Sequence, residues 1–326
     1  MADCRILVVT NLWPTEADPS FGSFVKAQMD SLRLLGVQYD VVFVNGRESI
    51  WNYLRGVGQV RRQLRAQRYD LIHAHFGLSG WVAYWQNAVP VVVSFMGDDV
   101  LGRPKRNGRM TLAGYFLRIS GFVIARLVEA VIVKSPQMAA ALRMPKAHVI
   151  PNGVDLDLFR PIEQAQARAA LGLDDGKKLV LFPYNPEEVR KRFDLVQAAV
   201  SLARRQVPNL ELLVVRCMPQ EKVAVYMNAV DMLVTASMSE GSPNAVKEAM
   251  ATNLPVVAVD VGDVSDLIGS TPGCYVVPRE AEAIAERIVE VCRCGGRTNG
   301  RESIRKLSID AVAHQILKVY AEVLKR

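Results

Sequence analysis

Several features that mark common protein classes are scarce in this sequence. Its 326 residues include five cysteines, an odd number without Cys-x-x-Cys spacing, which indicates neither a disulfide framework nor a zinc site. The longest apolar region, residues 110–133, is broken by Arg118, Arg126 and Glu129 and is therefore a poor membrane span. The N-terminus lacks the basic lead and cleavage pattern of a signal peptide. We therefore expect a cytoplasmic protein.

The usual signals of two further classes are also missing. No Gly-x-Gly-x-x-Gly follows the first predicted strand, which argues against a nicotinamide-dependent oxidoreductase. The formal net charge is +7, but no known DNA- or RNA-binding motif accompanies it. We therefore expect no nucleic acid partner.

The positive excess is confined to one half of the chain. Residues 1–160 hold 19 Lys and Arg against 12 Asp and Glu, whereas the remainder holds 21 of each kind. A mixture of basic and bulky apolar residues suits peripheral attachment to an anionic membrane surface at the inner face, and an ordinary solvated helix face is the alternative. Much of the excess lies in two groups: Arg55, Arg61, Arg62, Arg65 and Arg68, and then Arg103, Lys105, Arg106, Arg109, Arg118 and Arg126.

Short β-rich runs alternate with helical patterns along the whole chain. This alternation predicts the α/β class, with two doubly wound, Rossmann-like domains that face a central cleft. A turn-rich stretch at residues 151–161 predicts the hinge between them. The strands are expected at residues 5–10, 39–44, 70–75, 90–95, 130–133 and 148–150, and then at 178–184, 210–215, 231–235, 255–259 and 274–277.

Two glutamates, Glu240 and Glu248, stand after one of these strands. The turn that follows Glu240 ends with Ser242 before Pro243, which predicts a helix that begins here with Ser242 as its N-cap. The four-residue spacing places Glu248 on the same side of that helix as Asn244. The two carboxylates therefore flank the beginning of a helix.

The beginning of that helix is a candidate anion site. Unpaired backbone N–H groups at Gly241 and Ser242, together with the positive end of the helix dipole, suit a phosphate group. Carboxylates at Glu240 and Glu248 would repel phosphate and are better explained as acceptors for the hydroxyl groups of sugar and ribose. Ordinary solvated surface glutamates are the alternative interpretation.

Further motifs occur in a fixed order along the chain. They are Asn11-Leu12-Trp13-Pro14 through Val25, His73-Ala74-His75-Phe76, the stretches at residues 94–99 and 149–155, Lys191 at the opening of a helix, and the segment from Glu240 to Glu248. In this combination the chain resembles the retaining glycosyltransferases of family four, which have the two-domain GT-B fold. Each motif alone is a weak signal, and together they are specific.

The resemblance implies a role for each matching residue. Gly22, in the loop after the first strand, would let the backbone approach the donor diphosphate closely. Lys191 would neutralise that diphosphate, Glu240 would bind the donor sugar, and Glu248 would bind the ribose. The same donor site would include Gly241, Ser242, Asn244 and Ala245.

The chain departs from the family pattern at two places. Many relatives carry a Gly-Arg pair after the first strand of the second domain, where this chain has Pro183-Tyr184. Arg190 or Arg192 would replace the missing arginine. Relatives often have histidine at the position of Met96, which can neither donate a hydrogen bond nor carry charge, so that contact is expected to be absent.

Two further pairs of polar residues have both a chemical and a structural interpretation. His73 and His75 share one face of a strand, but two ligands are too few for zinc, and a structural or cleft-lining role is favoured. Asp98 and Asp99 stand at a strand end, where one would orient the acceptor hydroxyl or both would cap the next segment. Asp98 is the candidate for the acceptor side of the reaction.

No metal is expected in the site. Retaining transfer in this family is described without a covalent intermediate, and a helix N-terminus with one or two cations stabilises the leaving diphosphate. The triplet Asp155-Leu156-Asp157 spells the metal-binding DxD, but it lies in the predicted hinge, where aspartates make turns.

The sequence therefore predicts a retaining, hexosyltransferase-type enzyme without a cofactor. It would move a sugar from a nucleotide-diphosphate sugar to a glycan or lipid-linked acceptor in polysaccharide or glycolipid biosynthesis. Residues 1–160 would form the acceptor-side domain, residues 161–304 the nucleotide-sugar domain, and residues 305–326 a helix that returns to the first domain. A non-catalytic GT-B subunit of a glycosyltransferase complex and a nucleotide-sugar epimerase are the alternatives.

Overall fold

The computed structural model describes residues 4–325, which divide into two compact units. The first unit combines residues up to Pro104 with Arg109–Gly153 and the segment from Ile309 onward, and the second combines Lys105–Gly108 with Val154–Ser308. The chain thus changes unit between Gly153 and Val154, slightly earlier than the expected boundary at residue 160. It changes back at Ile309, slightly later than expected.

The first unit is built on a parallel sheet. Its strands are β1 (Arg5–Thr10), β2 (Gln38–Phe43), β3 (Leu71–His75), β4 (Val91–Ser94), β5 (Ala130–Val133) and β6 (His148–Val149). They are ordered β2-β1-β3-β4-β5-β6, and every neighbouring pair is parallel. The strands predicted for this half are confirmed, with ends that move by at most one residue.

The second unit is built on a shorter parallel sheet. Its strands are β7 (Lys178–Phe182), β8 (Leu210–Val214), β9 (Met232–Thr235), β10 (Val256–Val259) and β11 (Cys274–Val277), in the order β11-β10-β9-β7-β8. Their pairing is parallel throughout. The predicted strands and the α/β class are confirmed. Short apolar runs of this kind form parallel strands because their side chains are buried on both faces of the sheet.

Helices cover both faces of each sheet. Alternate residues of β1 show this, because Ile6 and Val8 pack in one apolar cluster with the C-terminal helix, and Leu7 and Val9 pack in another. Within residues 4–325, no helix has the length and apolar character needed to cross a bilayer. The helices are α1 (Ser23–Leu34), α2 (Trp51–Ala66), α3 (Gly77–Tyr84), α4 (Asp98–Leu101), α5 (Leu112–Ile124), α6 (Pro136–Ala141), α7 (Gln164–Leu171), α8 (Phe193–Ala203), α9 (Gln220–Ala229), α10 (Asn244–Ala251), α11 (Val264–Ile268), α12 (Ala281–Cys294), α13 (Gly300–Ser303) and α14 (Ile309–Leu324), with 3₁₀ helices at Val189–Lys191 and Arg305–Leu307.

The strand order marks one binding edge in each sheet. In the second unit β8 lies on one side of β7 and β9 on the other, and in the first unit β2 and β3 flank β1 in the same way. Open sheets of this kind bind ligands beyond the carboxyl ends of the strands where the order reverses. The loops after β7 and β9, and those after β1 and β3, are therefore the places to look for a site.

Candidate active site

Two loops meet beyond the carboxyl ends of β7 and β9. The first ends in the 3₁₀ helix Val189–Lys191, and the second follows Thr235 and leads to Glu240. A hydrogen bond of 2.8 Å from Met238 N to Arg190 O joins them. Lys191 and Glu240, which are 49 residues apart in the sequence, are thereby brought into contact. Lys191 stands two positions before α8 rather than inside it, which corrects the expectation that it opens that helix.

Two cations hold the carboxylate of Glu240. Lys191 Nζ lies 2.5 Å from Glu240 Oε1, and Arg190 Nη1 lies 2.9 Å from Glu240 Oε2. Arg190 also donates to Ser239 O at 2.8 Å and to Glu188 Oε1 at 2.7 Å. Lys191 is only 7% exposed, so its ammonium group is largely shielded from water. The arrangement is a cluster of two cations and two carboxylates, in which Glu240 is paired with both cations.

Electrostatics keep Glu240 ionised. Burial acts to raise the pKa of its carboxyl group, but the charges of Lys191 and Arg190 outweigh that effect and lower the pKa to about 2. An ionised carboxylate only accepts hydrogen bonds, so Glu240 is suited to hydroxyl groups. A lysine carries three N–H donors, and Lys191 therefore retains capacity for a second acceptor beside Glu240.

An aromatic ring stands where many relatives carry the Gly-Arg pair. Tyr184 follows β7, and Lys191 Nζ lies 3.7 Å from the centroid of its ring, within range of a cation–π interaction. The Tyr184 ring packs edge-on against Phe182 at a centroid distance of 5.4 Å. Burial raises the pKa of Tyr184 well above its usual range, so the phenol stays neutral. Tyr184 thus supports the ammonium group from the sheet side instead of supplying a charge.

Arg190 and Arg192 have different surroundings. Arg190 contacts Glu240, whereas Arg192 donates from Nε and Nη2 to Asp194 at 3.1 and 3.2 Å. Arg192 also has a left-handed backbone, with φ of 55°. Of the two candidates for the missing family arginine, the structure brings Arg190 into the Glu240 cluster.

The predicted N-cap of α10 is wrong. The helix begins at Asn244, Pro243 occupies the cap position, and no side chain caps it. The hydroxyl of Ser242 instead accepts a hydrogen bond of 3.0 Å from Lys247 Nζ. A fully buried ammonium group needs oxygen acceptors, and this need takes the hydroxyl away from the helix end.

Lys247 and Asp263 are two buried charged residues that the sequence patterns did not reveal. Lys247 is fully buried and Asp263 is 6% exposed. Burial lowers the pKa of Lys247 to about 8, although the charges of Asp263 and Glu248 act against the shift. The spacing could have predicted that Lys247 is buried, because Lys247 precedes the predicted core residue Met250 by three positions and therefore shares its helical face.

The loop after β10 packs closely against the loop that carries Glu240. Gly262 there has φ of 65°, and a Cβ atom at this position would lie 2.6 Å from Gly241 O. Only glycine permits both the left-handed backbone and this close approach. Gly262 therefore sets the distance between the Asp263 segment and the Glu240 loop.

The predicted face of α10 is confirmed, and Glu248 lies beside it. Ala245, Val246, Ala249 and Met250 are all buried, while Asn244 and Glu248 are half-buried. Burial raises the pKa of Glu248 to about 7, and the charge of Lys247 acts against that shift. Glu248 therefore changes charge near neutral pH, unlike Glu240.

In the first unit, Gly22 caps α1 on the loop after β1. Its φ is 70°, and a Cβ atom there would lie 2.2 Å from the carbonyl carbon of Leu12. The glycine is thus needed for the loop to fold back on itself. After β3, Phe76 has φ of 83°, a strained conformation for a bulky residue of a kind that often marks functional sites.

The two neighbouring aspartates after β4 have different roles. Asp99 is buried and accepts backbone hydrogen bonds from Gly77 N at 2.8 Å, Met96 N at 3.0 Å and Gly97 N at 2.9 Å. Burial raises the pKa of Asp99 to about 6, although these hydrogen bonds oppose the shift. Asp98 is half-buried and pairs with Arg103 Nε at 3.0 Å. Asp99 therefore caps the segment, which leaves Asp98 as the candidate on the acceptor side.

The two histidines are part of the core. His73 Nδ1 lies 2.6 Å from the Tyr320 hydroxyl, and its Nε2 lies 2.8 Å from Ser94 Oγ. His75 Nε2 lies 3.1 Å from Gln28 Nε2. Burial, with a contribution from the charge of Lys134, lowers the pKa of His73 to about 3. Both imidazoles are buried in the sheet and therefore have the structural role.

The DxD triplet forms a turn. Asp155 Oδ1 accepts hydrogen bonds from Asp157 N at 3.0 Å and Leu158 N at 2.9 Å. Within residues 4–325, no group of three or more His, Cys, Asp or Glu side chains is arranged to hold a metal ion.

Comparison with known proteins identifies the family of the chain. The family description Glycosyltransferase Family 4 matches residues 2–158, and Glycosyl transferases group 1 matches residues 195–293. The putative teichuronic acid biosynthesis glycosyltransferase TuaC of Bacillus subtilis is 32% identical over 346 aligned residues, which cover 87% of this chain and 88% of TuaC. The chain belongs to glycosyltransferase family 4. The resemblance to this family that the sequence motifs indicated is confirmed.

Solved structures place this family 4 glycosyltransferase in the GT-B fold. Sucrose-phosphate synthase from Thermosynechococcus elongatus superimposes with a TM-score of 0.82 at 21% identity, over 99% of this chain and 100% of the other. HepE from Anabaena, solved in complex with UDP and glucose, superimposes with a TM-score of 0.69 at 15% identity, over 98% and 100% of the two chains. The expected fold is confirmed.

Proposed function

We propose that this family 4 glycosyltransferase moves a sugar from a nucleotide-diphosphate sugar to a glycan or lipid-linked acceptor, with retention of configuration at the anomeric carbon. The observation that carries the proposal is the Glu240 carboxylate held between Lys191 and Arg190 next to the beginning of α10. Acceptors for sugar hydroxyls and donors for a diphosphate therefore stand side by side in one buried cluster.

The cations would stabilise the leaving group. During transfer, the anomeric carbon loses its bond to a diphosphate oxygen and gains a bond to the acceptor oxygen on the same face. The proton of the acceptor hydroxyl passes to the departing diphosphate. Preorganised positive charge at that oxygen lowers the barrier most, because it is already in place when charge develops. Lys191, Arg190 and the N–H groups at the start of α10 would supply this charge without a metal.

The other candidate residues would have the roles that the sequence motifs and the family resemblance imply. Glu248 and Asn244 would hold the ribose, and Gly241, Ser242 and Ala245 would line the donor site around Glu240. Gly22 would let its loop approach the diphosphate, and Asp98 would orient the acceptor hydroxyl. The name of the relative TuaC refers to teichuronic acid biosynthesis, which supports a role in polysaccharide assembly.

A donor screen tests the proposal directly. Thermal shift with a panel of nucleotide sugars should find one that raises the unfolding temperature, since a ligand at a hundred times its dissociation constant stabilises by about 2.7 kcal/mol. With that donor and a candidate acceptor, proton NMR of the anomeric signal should show the donor's configuration in the product. An inverted linkage would contradict the retaining mechanism.

Two alternatives give different results in the same assays. A non-catalytic subunit would neither transfer sugar nor slowly hydrolyse the donor, and its behaviour would not change on Lys191→Ala. An epimerase would accumulate free or epimerised sugar and no glycosylated acceptor. Slow hydrolysis that depends on Lys191, together with a glycosylated product, is the expected outcome.

A further inference from the structure

An apolar groove lies on the surface of the first unit. It has a volume of about 450 Å³, within the range of about 300–1,000 Å³ that is usual for ligand sites. Helices α2, α3 and α5 form its walls. Its lining includes Leu54, Val57, Trp81, Trp85, Phe116 and Ile119.

The groove exposes large apolar side chains to solvent. Leu54 is 65% exposed, Ile119 64%, Phe116 59% and Trp85 55%. Single exposed apolar residues are ordinary, but a contiguous group of this size marks an interaction site. The surrounding chain therefore presents a surface that needs an apolar occupant.

The walls of the groove carry charge of one sign. Neither α2 nor α5 contains an Asp or Glu, whereas α2 contains Arg55, Arg61, Arg62 and Arg65 and α5 contains Arg118. Arg61 reaches the groove, because its guanidinium donates to Trp85 O at 2.9 and 3.1 Å. An occupant that matches this surface is apolar along its length and anionic at one end.

The groove is continuous with the loops that hold the candidate acceptor residues. Tyr53 lines the groove, and its hydroxyl accepts a hydrogen bond of 3.0 Å from Asn11 Nδ2 on the loop that leads to Gly22. On the opposite wall, α5 packs so closely on the α4 segment that a Cβ atom at Gly121 would lie 2.1 Å from Asp99 O. The end of the groove beside Tyr53 therefore lies next to the loop that leads to Gly22, and its α5 wall contacts the segment that carries Asp99.

We propose that this groove binds the hydrocarbon chain of a lipid phosphate, and that the acceptor of the enzyme is a lipid-linked one. The inference rests on the proposed glycosyl transfer, and it selects between the glycan and lipid-linked acceptors that the family leaves open. The apolar walls hold the chain, and Arg55, two residues after Tyr53 at the start of α2, attracts the phosphate that joins the chain to the acceptor sugar.

Binding of a short isoprenyl phosphate tests the groove independently of catalysis. Farnesyl phosphate should change the fluorescence of the tryptophans in the groove and bind more tightly than farnesol, while inorganic phosphate alone should have no effect at the same concentrations. Ile119→Asp should weaken farnesyl phosphate binding by about tenfold or more, because it replaces apolar contact with a charge of the same sign as the ligand. Phe116→Ser is a second variant without an added charge.

Leu34→Asp is the matched control. Leu34 is 84% exposed on α1, which packs on the opposite face of the sheet, so this variant should keep the wild-type affinity. All variants should bind the nucleotide donor normally in the thermal-shift screen, so that a failure of the groove is distinguished from a failure of the donor site.

Two results would overturn the inference. One is equal affinity of the wild type, Ile119→Asp and Phe116→Ser for farnesyl phosphate. The other is a dimer in sedimentation that Ile119→Asp dissociates while farnesyl phosphate binding stays unchanged, since the occupant would then be a second copy of the chain. Donor hydrolysis without any farnesyl phosphate binding would leave the proposed transfer intact and remove the lipid-linked acceptor alone.

Discussion

Two pairs of basic residues, one pair in each unit, have opposite surroundings. In the second unit, Lys191 and Lys247 are buried, and each contacts an oxygen of a neighbouring loop. In the first unit, Arg55 and Arg118 are exposed and stand among exposed apolar side chains. Burying a charge costs free energy unless it is partnered, whereas an exposed charge keeps its water. Lys191 and Lys247 therefore hold neighbouring loops in place, while Arg55 and Arg118 are available to a partner.

The largest effect is expected from Lys247, the deepest of these cations. Replacement by methionine would remove the hydrogen bond that Ser242 Oγ accepts and the positive charge that acts on the buried carboxyl group of Asp263. Leaving a buried polar group unsatisfied costs about 1–3 kcal/mol and more for a charged group, so denaturant unfolding of Lys247→Met should show a loss of that order. The double variant Lys247→Met/Asp263→Asn should recover part of it, because neither charge is then left alone.

Lys177→Met is the matched control for this experiment. Lys177 pairs with Glu211 at 2.7 Å on the surface, and exposed pairs contribute little to stability. A Lys247→Met protein as stable as Lys177→Met would mean that the buried charge does not hold the loop.

Lys191 should have the largest effect on turnover. Removing one preorganised donor for a leaving group typically costs about a hundred- to a thousandfold in rate. Lys191→Ala should therefore lower turnover by that factor and weaken nucleoside diphosphate binding much more than nucleoside binding. Equal losses for both ligands would show a general disturbance of the pocket.

Arg190 and Arg192 provide a comparison within the same loop. Arg190 contacts Glu240, and Arg192 contacts Asp194. Arg190→Ala should therefore reduce nucleoside diphosphate affinity and turnover, and Arg192→Ala should change both little. The reverse order would assign the missing family arginine to Arg192.

Glu248 should have a smaller effect, and one that depends on pH. Hydrogen bonds to charged groups contribute about 1.5–3 kcal/mol, so Glu248→Ala should weaken nucleoside binding by about tenfold or more without unfolding the protein. Burial raises the pKa of Glu248 to about 7, and only the ionised form accepts with both oxygens. Wild-type nucleoside affinity, measured by calorimetry, should therefore fall as the pH drops through about 7.

Glu248→Gln is the control for that pH dependence. Its amide does not titrate, so its nucleoside affinity should be lower than that of the wild type at high pH and constant across the range. A wild-type affinity that is also constant would remove Glu248 from the ribose site.

The sequence predicted the strands and several site residues, but not the contacts between those residues. The strands were predictable because runs such as Ile6–Val9 are apolar at every position, which only a sheet covered on both faces requires. Glu240 was predicted as a site residue from the local pattern and the family resemblance, and Lys191 was predicted through the resemblance. Their direct contact was not, because it depends on β9 lying beside β7.

The buried charged residues Lys247 and Asp263 mark the limit of that prediction. Lys247 lies on α10 and Asp263 immediately precedes α11, and only the packed structure shows that Ser242 lies within reach of Lys247. The incorrect N-cap has the same cause, since local preference favours a serine cap and the buried ammonium overrides it. Local sequence rules thus fail where a tertiary charge contact competes with them.

The smallest single effects are expected at the exposed arginines of the first unit. Each basic residue near an anionic headgroup contributes about 1 kcal/mol, so Arg118→Gln should reduce partition onto phosphatidylglycerol vesicles by about fivefold. Arg103→Gln should reduce it less, because Arg103 already pairs with Asp98 at 3.0 Å. Arg205→Gln, an exposed change in the second unit, should have no effect.

Vesicle composition and salt decide whether these arginines face a membrane. In flotation, the wild-type protein should rise with vesicles rich in phosphatidylglycerol and stay behind with neutral ones. The bound fraction should fall as salt is added, since exposed charges interact over only about 8 Å at physiological ionic strength. Arg118→Gln should then lower the bound fraction and Arg205→Gln should leave it unchanged, because positive and negative charges are balanced in the second unit and not in the first. Equal recovery of the wild type with both vesicle types would instead assign the exposed arginines to solvent, and the contrast between the two units would reduce to burial alone.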